Sequence, residues 1–551
     1  MNGPALHDDP DDMLRTWVEP GAHLHFASTM ARPNALLYAL ARTREGRHDV
    51  TVSVAAVHSS AHALALSGAV RHVITGFLGD VYPLPRHNPL YAHVAQGQPF
   101  TAEVWPLWTL VQRLVAAGTG APAAVTRSLL TSDLRHALTA DLRTVTSFDG
   151  GTAHLVRPLA PDLTLVHAVL ADRRGNLVLG SPSGEGAWAA YAARHGVLAS
   201  AERIVERLPD DCSGLLAVPG HLVRALCPAP RGAHPQALAA PPATEVPGYP
   251  DDYAFLEEVN AHCRRGAGTE WFDRWVRSPR GHDDYLRRLD RRPRRVARPS
   301  RTALSTASAR ERLVILGARA VRDRVLAHGY RTVLAGIGHS HLAAWLARDM
   351  LARRGVDIRV CAELGFYDMR PAHGQVHLFA PAHLPGAGHR VGLPEILGGV
   401  VTAGGEQCLG VLSTAQIDRS GALNTCLLPD GRWLTGPGGA CDIAAAADCV
   451  VLAQAEPRRY VASVRHRTSP GDRVRTCVSH YGRFERAGSG ESFALSTWLP
   501  PHDAPGGDPF RTVARTTEGW SAGGRAPVPE PAVTARELDA LRALDPDGVY
   551  R

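Results

Sequence analysis

The chain has 551 residues, 45% of them apolar and 21% charged, which is core enough for several globular domains and too much for one. It contains no run of about 18 uninterrupted apolar residues, so a transmembrane helix is excluded and no membrane association is expected. All 60 basic residues are arginine, and the absence of lysine excludes a Schiff-base lysine, a P-loop lysine and a biotin carrier.

The net charge of +7 could suggest a nucleic-acid partner, but much of the excess lies in RRLDRRPRRVARPSR (287–301). Its Pro and Arg content reads as an exposed linker with no nucleic-acid motif beside it. The N-terminal MNGPALHDDPDDMLRTW is acidic and lacks the basic start and apolar stretch of a signal peptide. Nine cysteines without a CxxC pair fit a cytoplasmic enzyme with reduced thiols, neither a disulfide scaffold nor a zinc ribbon.

The linker divides the chain into residues 1–289 and 309–551, with 290–308 between them. Each half begins with a helix-like stretch followed by an apolar strand running into a small-residue turn. In the first, AHLHFASTMARPNALLYALAR passes through Ala27 and Ser28 into a helix; in the second, TVLAGIGHSHLAAWLARDML passes through Gly336, Ile337 and Gly338. Leu342, Trp345, Leu346 and Met350 then share one helix face. An Asp-Arg-x-Gly turn follows in each half, in VLADRRGNLVLGS (169–181) and AQIDRSGALNTCLL (415–428). Alternating strand and helix signals predict two tandem α/β units with mainly parallel sheets. Ligands in such sheets bind beyond the carboxyl ends of the strands.

One such end is VDIRVCAELGFYD (356–368), where Val356, Ile358 and Val360 alternate like a strand before Glu363 appears beside a glycine and two aromatics. Several chemistries compete for these features. GIGHSH followed by a downstream acid resembles a dinucleotide turn, but the pattern lacks the third glycine. His58 and His62 are four apart without an acidic HExxH partner, which is weak support for a metal. Cys361 has no evident activating base, and an apolar strand would raise its pKa, so packing is the expected role. Gly436, Gly438 and Gly439 in WLTGPGGACDIAAAADCVVLA stand between a strand and an alanine-rich helix. Their N–H groups suit an oxyanion or a phosphate, or they form a tight turn that touches nothing.

Taken in order, these pieces resemble the family I CoA-transferases, in particular the glutaconate CoA-transferase-like branch. The first half is similar to the α subunit through VITGFLGDVYPLPRHNPLY (73–91), RLVAAGTGAPAAVTRSLLTSDL (113–134), LVHAVLADRRGNLVLGSPSGEGAW (165–188) and PRGAHP (230–235). The second half is similar to the β subunit through LAGIGHSHLAAWLA, CAELGFYD, LGVLSTAQIDRSGALNT and LTGPGGACDIAAAAD. The resemblance implies two CoA-transferase-type open domains fused in one chain. Glu363 would be the covalent nucleophile, exchanging CoA between an acyl-CoA donor and a carboxylic acid acceptor by ping-pong through a glutamyl-CoA thioester.

It further implies oxyanion or CoA contacts at Gly436, Gly438 and Gly439, with Gly336, Gly338, Gln416, Asn424, Ala27 and Ser28 near the site. Phe366 and Tyr367 would wall it. No permanently bound cofactor is implied, only a CoA thioester as substrate, and a homodimer is the corresponding assembly. Two departures stand out. The loop usually rich in glycine reads FASTMARP, which points to an altered acyl pocket, and Ala422 replaces the asparagine retained as Asn176. Rival readings are a CoA-thioester or ring-opening hydrolase on the same fold, and a non-catalytic acyl-CoA binding protein. Leu107 stands where ring-opening relatives carry their acid, which favours transfer.

Overall fold

The computed structural model describes residues 3–82, 84–293, 306–486, 488, 490–500, 506–521 and 526–551. Of the linker expected at 290–308, residues 294–305 lie outside the described residues. Two α/β sheets organise the chain. The first contains β1 (Ala5–Leu6), β2 (His23–Phe26), β3 (Val50–Val54), β4 (Val70–Thr75), β5 (Thr101–Val104), β6 (Leu163–Asp172), β7 (Val197–Val205) and β8 (Val223–Pro228). They lie in the order β1-β8-β7-β6-β2-β3-β4-β5, and every neighbouring pair on this path is parallel. The sequence explains the centre of the sheet. β6 reads LTLVHAVLAD with every residue buried, the continuous pattern of a strand covered on both faces.

The second sheet contains β9 (Thr332–Ala335), β10 (Arg359–Cys361), β11 (Cys408–Ser413), β12 (Asp448–Leu452), β13 (Val474–Val478), β14 (Arg483–Glu485) and β15 (Ala494–Leu495). Its order is β10-β9-β11-β12-β13-β14-β15, parallel through β13 and antiparallel beyond. β10 is shorter than the alternation from Val356 suggests. As an edge strand it pairs only with β9, from Arg359 onward, although Ile358 is also buried. Helix Ala309–His328 packs on this sheet, closed at its start by a Ser308–Glu311 capping box and at its end by Gly329 in the left-handed region. Each fully buried Leu or Val in these layers is worth about 1.5–3 kcal/mol against exposure.

Both Asp-Arg-x-Gly turns close in the same way. Asp172 accepts from the N–H groups of Arg174 and Asn176, and Asp418 from those of Ser420 and Ala422. Asn176 adds a side-chain bond to Asp172. In the second turn Ala422 cannot supply one, and the other Asp418 oxygen accepts from the Val464 N–H instead. All nine cysteines are free and buried. Among the described residues no helix is long and apolar enough to cross a membrane.

Candidate active site

The carboxyl ends of strands from both sheets converge on one cavity of about 110 Å³. Ala55 and Ala56 after β3, Phe77 after β4, Ile337 after β9 and Glu363 after β10 all line it. A tight turn places the glutamate. The Ala362 N–H donates to the Phe366 carbonyl, and the Gly365 N–H donates back to that of Ala362. Gly365 has φ 119°, and a side chain there would collide with the Val391 carbonyl, so the residue two after Glu363 must be glycine. Phe366 turns into the core and neither it nor Tyr367 lines the cavity. The expected aromatic wall is supplied instead by Phe77, Tyr82 and Phe379, which sequence spacing does not connect to Glu363.

Burial and the nearby Asp442 push the Glu363 carboxyl up to about 7, opposed by the Gly439 N–H. Asp442 is itself buried and pushed up to about 7 by loss of solvent. It is held by the Trp108 N–H at 2.8 Å and by the Thr109 hydroxyl. Those donors open the helix Leu107–Gly118, whose N-terminus favours an anion. The better-bonded Asp442 therefore retains charge more readily, and its field falls on Glu363. Nothing local in GPGGACD marks this aspartate as a neighbour of the site.

The glycine segment needs correction. The Gly436 N–H donates to the Thr425 carbonyl and the Gly438 N–H to the Gly76 carbonyl, both 3.0–3.1 Å, so neither is free for an oxyanion. The Gly436 bond stays within the second half, whereas the Gly438 bond stitches that half to the first, together with Leu107 N–H to Gly438 carbonyl at 2.9 Å and Leu78 N–H to Thr435 carbonyl at 2.6 Å. Gly439 alone of the three turns its N–H toward Glu363, and a methyl group on it would strike Glu363 Oε2.

The remaining expected residues divide. Gly338 and Gln416 line a second, wider cleft of about 960 Å³ that meets the cavity at Ile337. Gly336 packs behind it against the Val411 carbonyl. Asn424 is fully buried and bonds to Gln416 and the Leu427 carbonyl, a structural brace set back from the cavity. Ala27 and Ser28 also stand behind the wall. The Ala27 N–H extends the sheet to Leu165, and the Ser28 N–H donates to Glu185 at 2.7 Å. Thr29, Met30 and Arg32 of the same loop reach the cavity instead.

The dinucleotide reading of GIGHSH meets an obstacle. The His341 ring accepts the Gly338 N–H at 3.0 Å, occupying the helix start that a phosphate would need. His58 and His62 bond separately, to Ser59 and to the Tyr91–Asp80 pair. Among the described residues no cluster of three potential ligands suits a metal ion. Cys361 is buried and its thiol pushed up to about 12 by desolvation, which fits packing.

Residues 7–213 match the family model for coenzyme A transferase. One subunit of the 3-oxoadipate CoA-transferase of Pseudomonas knackmussii is 27% identical over 186 residues, 33% of this chain and 61% of that protein. The chain thus spans about 61% of the length of that curated relative. The apoenzyme of the acyl-CoA transferase YdiF from Escherichia coli O157:H7 superposes with a TM-score of 0.66 at 14% identity, over 96% of this chain and 94% of its own. The thioester complex of YdiF with CoA gives 0.62 at 14% identity, over 97% and 96%. These likenesses extend one fold across both sheets.

Proposed function

We propose that this chain, whose residues 7–213 match the coenzyme A transferase family model, is a member of that family and moves CoA between carboxylic acids through Glu363. The observation that carries this reading is the placement of Glu363. It is a half-buried carboxylate at a strand end, partly desolvated, with one backbone donor and a second carboxylate near it. A carboxylate with its solvation removed is a stronger nucleophile, and a dry cavity protects an anhydride from hydrolysis.

Glu363 attacks the thioester carbonyl, the C–S bond breaks, and a mixed anhydride forms with release of CoA thiolate. The thiolate then attacks the glutamyl carbonyl, giving a glutamyl-CoA thioester and freeing the donor acid. An acceptor carboxylate reverses both steps and leaves as the new thioester. Each bond made replaces one of similar energy, so no ATP is needed. The Gly439 N–H is the donor positioned to stabilise charge developing at Glu363.

The wide cleft is the proposed CoA channel. Leu84, Ile337 and Leu434 offer an apolar path for the pantetheine arm, and Arg86, Arg432 and Arg458 offer positive charge for the phosphates. Leu107 lines the cavity, so the position that would bear a hydrolytic acid is apolar, which supports transfer over ring opening. The division into two units around residues 290–308 is part of the same reading.

The test is mass spectrometry after brief incubation with a panel of acyl-CoAs and borohydride trapping. The expected result is a CoA-sized adduct, or reduction to the alcohol, on the peptide bearing Glu363, absent in Glu363→Gln, with a loss of transfer of at least about 10³-fold. Consumption of donors at equal rates by Glu363→Gln, without an adduct, would sink the proposal.

A further inference from the structure

One long segment of the second half lies over the space that holds Glu363. The chain leaves at Phe366–Tyr367 and returns at His389–Arg390, which pair antiparallel as a short ribbon and close the base of a loop over 368–388. Its His377 and Phe379 line the cavity together with Glu363. His373 and Gly374, a few residues away, are exposed. The loop is therefore a single layer between solvent and the reacting carboxylate. It also crosses the seam between the halves, for the His377 ring meets Tyr82 and Tyr253 of the first half edge-on at 5.8 and 6.2 Å.

This layer is sparingly attached. The His383 ring braces it from within, accepting from the Ala372 N–H at 3.0 Å and donating to the His377 carbonyl at 2.8 Å. Among the described residues, a single hydrogen bond joins 370–387 to anything beyond the loop and its ribbon. In it, His341 Nε2 donates to the Val376 carbonyl at 2.8 Å. The same ring accepts the Gly338 N–H through Nδ1 at 3.0 Å. One imidazole thus reaches from the turn at Ile337 and Gly338 to the residue before His377, and Ile337 borders both the cavity and the wide cleft. His341 is fully buried and packs edge-on against Trp345 at 4.6 Å. Burial holds its pKa down to about 3, so the ring stays neutral, with one acceptor and one donor.

What such a layer must hold back is water. A glutamyl-CoA thioester on Glu363 is lost if water reaches it. The water oxygen bonds to the glutamyl carbonyl carbon and the C–S bond breaks. One proton passes to the CoA thiolate and the other to solvent, and the carboxylate is regenerated.

We infer that loop 368–388 is a roof that keeps water from acylated Glu363, and that His341 is the positioning residue that seats it. The inference rests on the transferase reading of Glu363. Unseating the roof turns transfer into hydrolysis without altering the carboxylate itself.

The experiment incubates acetyl-, butyryl- and succinyl-CoA with the full chain, His341→Asn and His341→Gln. Transfer is read as exchange of the isotopically labelled parent acid into its thioester, and hydrolysis as free thiol released with no acid added. Asn sets its carbonyl oxygen where Nδ1 stands, keeping the Gly338 bond and losing the Val376 one, whereas Gln reaches Val376 with its amide N–H. The ratio of hydrolysis to exchange should rise about tenfold in His341→Asn, as one lost hydrogen bond shifts the seated fraction. In His341→Gln it should return to within a few-fold of wild type. A general loss of stability would lower both rates together and leave the ratio alone. The released thiol should vanish in the His341→Asn, Glu363→Gln double variant. An unchanged ratio in His341→Asn, or hydrolysis that persists without Glu363, overturns the roof, while labelling of Glu363 in the wild type keeps the transferase reading. If none of the acyl-CoA panel labels Glu363, both fall. Should His341→Asn fail to fold, amide hydrogen exchange in the wild type decides. The bonded amides of Ala372, Ala380 and His383 exchanging together, about tenfold or more faster than those of the helix His339–Ala352, support a roof that opens as its own unit, and exchange in step with that helix refutes it.

Discussion

Glu185 in the first half and Glu363 in the second both lose water on folding, and their surroundings treat them in opposite ways. At Glu185 burial pushes the carboxyl upward, but the His25 ring and the Ser28 N–H outweigh it and hold the group below the ordinary range. Glu363 has one backbone donor, no cation and a second buried carboxylate nearby, and rises to about 7. The first arrangement makes a brace, since a carboxylate held by a facing imidazole and a backbone donor on Oε1 is fixed in place and fixes the loop it bonds. The second leaves a carboxylate whose charge is unanswered, which is the condition for reactivity.

The two also act on stability with opposite sign. Glu185 contributes fully above the ordinary glutamate range, and that contribution fades as pH falls through its lowered native value. The stabilising state of Glu363 is the protonated one, complete below its ordinary value of 4.5 and lost as pH rises through about 7.

This contrast can be broken at three points. The largest effect is expected from Gly439→Ala, which removes no charge but pushes a methyl group against Glu363 Oε2. kcat should fall by about 100-fold or more while the melting temperature stays nearly constant, as for loss of a single positioned donor. Next comes Asp442→Asn, which keeps an acceptor for the Trp108 N–H and deletes the neighbouring anion. Activity falls on the acid side as Glu363 takes up its proton near pH 7. In the variant that limb should move down by about one pH unit, giving up to about tenfold more activity below pH 6. An unmoved limb would mean that burial alone sets the Glu363 proton. The smallest effect belongs to Glu185→Gln. It should cost about 1–3 kcal/mol at neutral pH, with a lowered melting temperature, and the difference from wild type should close as the solution is acidified.

How much of this the sequence displays depends on the range of the interaction. Glu363 is visible because its strand, turn and glycine are contiguous, and the paired Asp-Arg-x-Gly turns are visible for the same reason. Helix starts after β2 and β9 are legible from local pattern. Asp442, by contrast, gains its place only when the helix start at Trp108 is brought to it. The engagement of the Gly436 and Gly438 N–H groups depends on Thr425 and Gly76, which no local motif announces. Arg32 reads as an ordinary loop arginine until the fold closes a cavity around it. FASTMARP looks anomalous for want of glycine because the small residues that permit its close packing, Gly180 and Gly184, sit on the opposing segment, where a side chain would strike the backbone of Met30 or Ser28.

The seam at Gly76, Leu107 and Gly438 has a further consequence. The candidate cavity lies where the two sheets dock, and backbone bonds fix that docking alongside side-chain bonds such as Asp442 to the Trp108 N–H and the Trp433 ring to the Leu78 carbonyl. With both surfaces on one polypeptide, that encounter is intramolecular, governed by an effective concentration that the connecting residues set and that dilution does not lower. Site assembly thereby becomes a property of each molecule, uncoupled from how much of the protein is present.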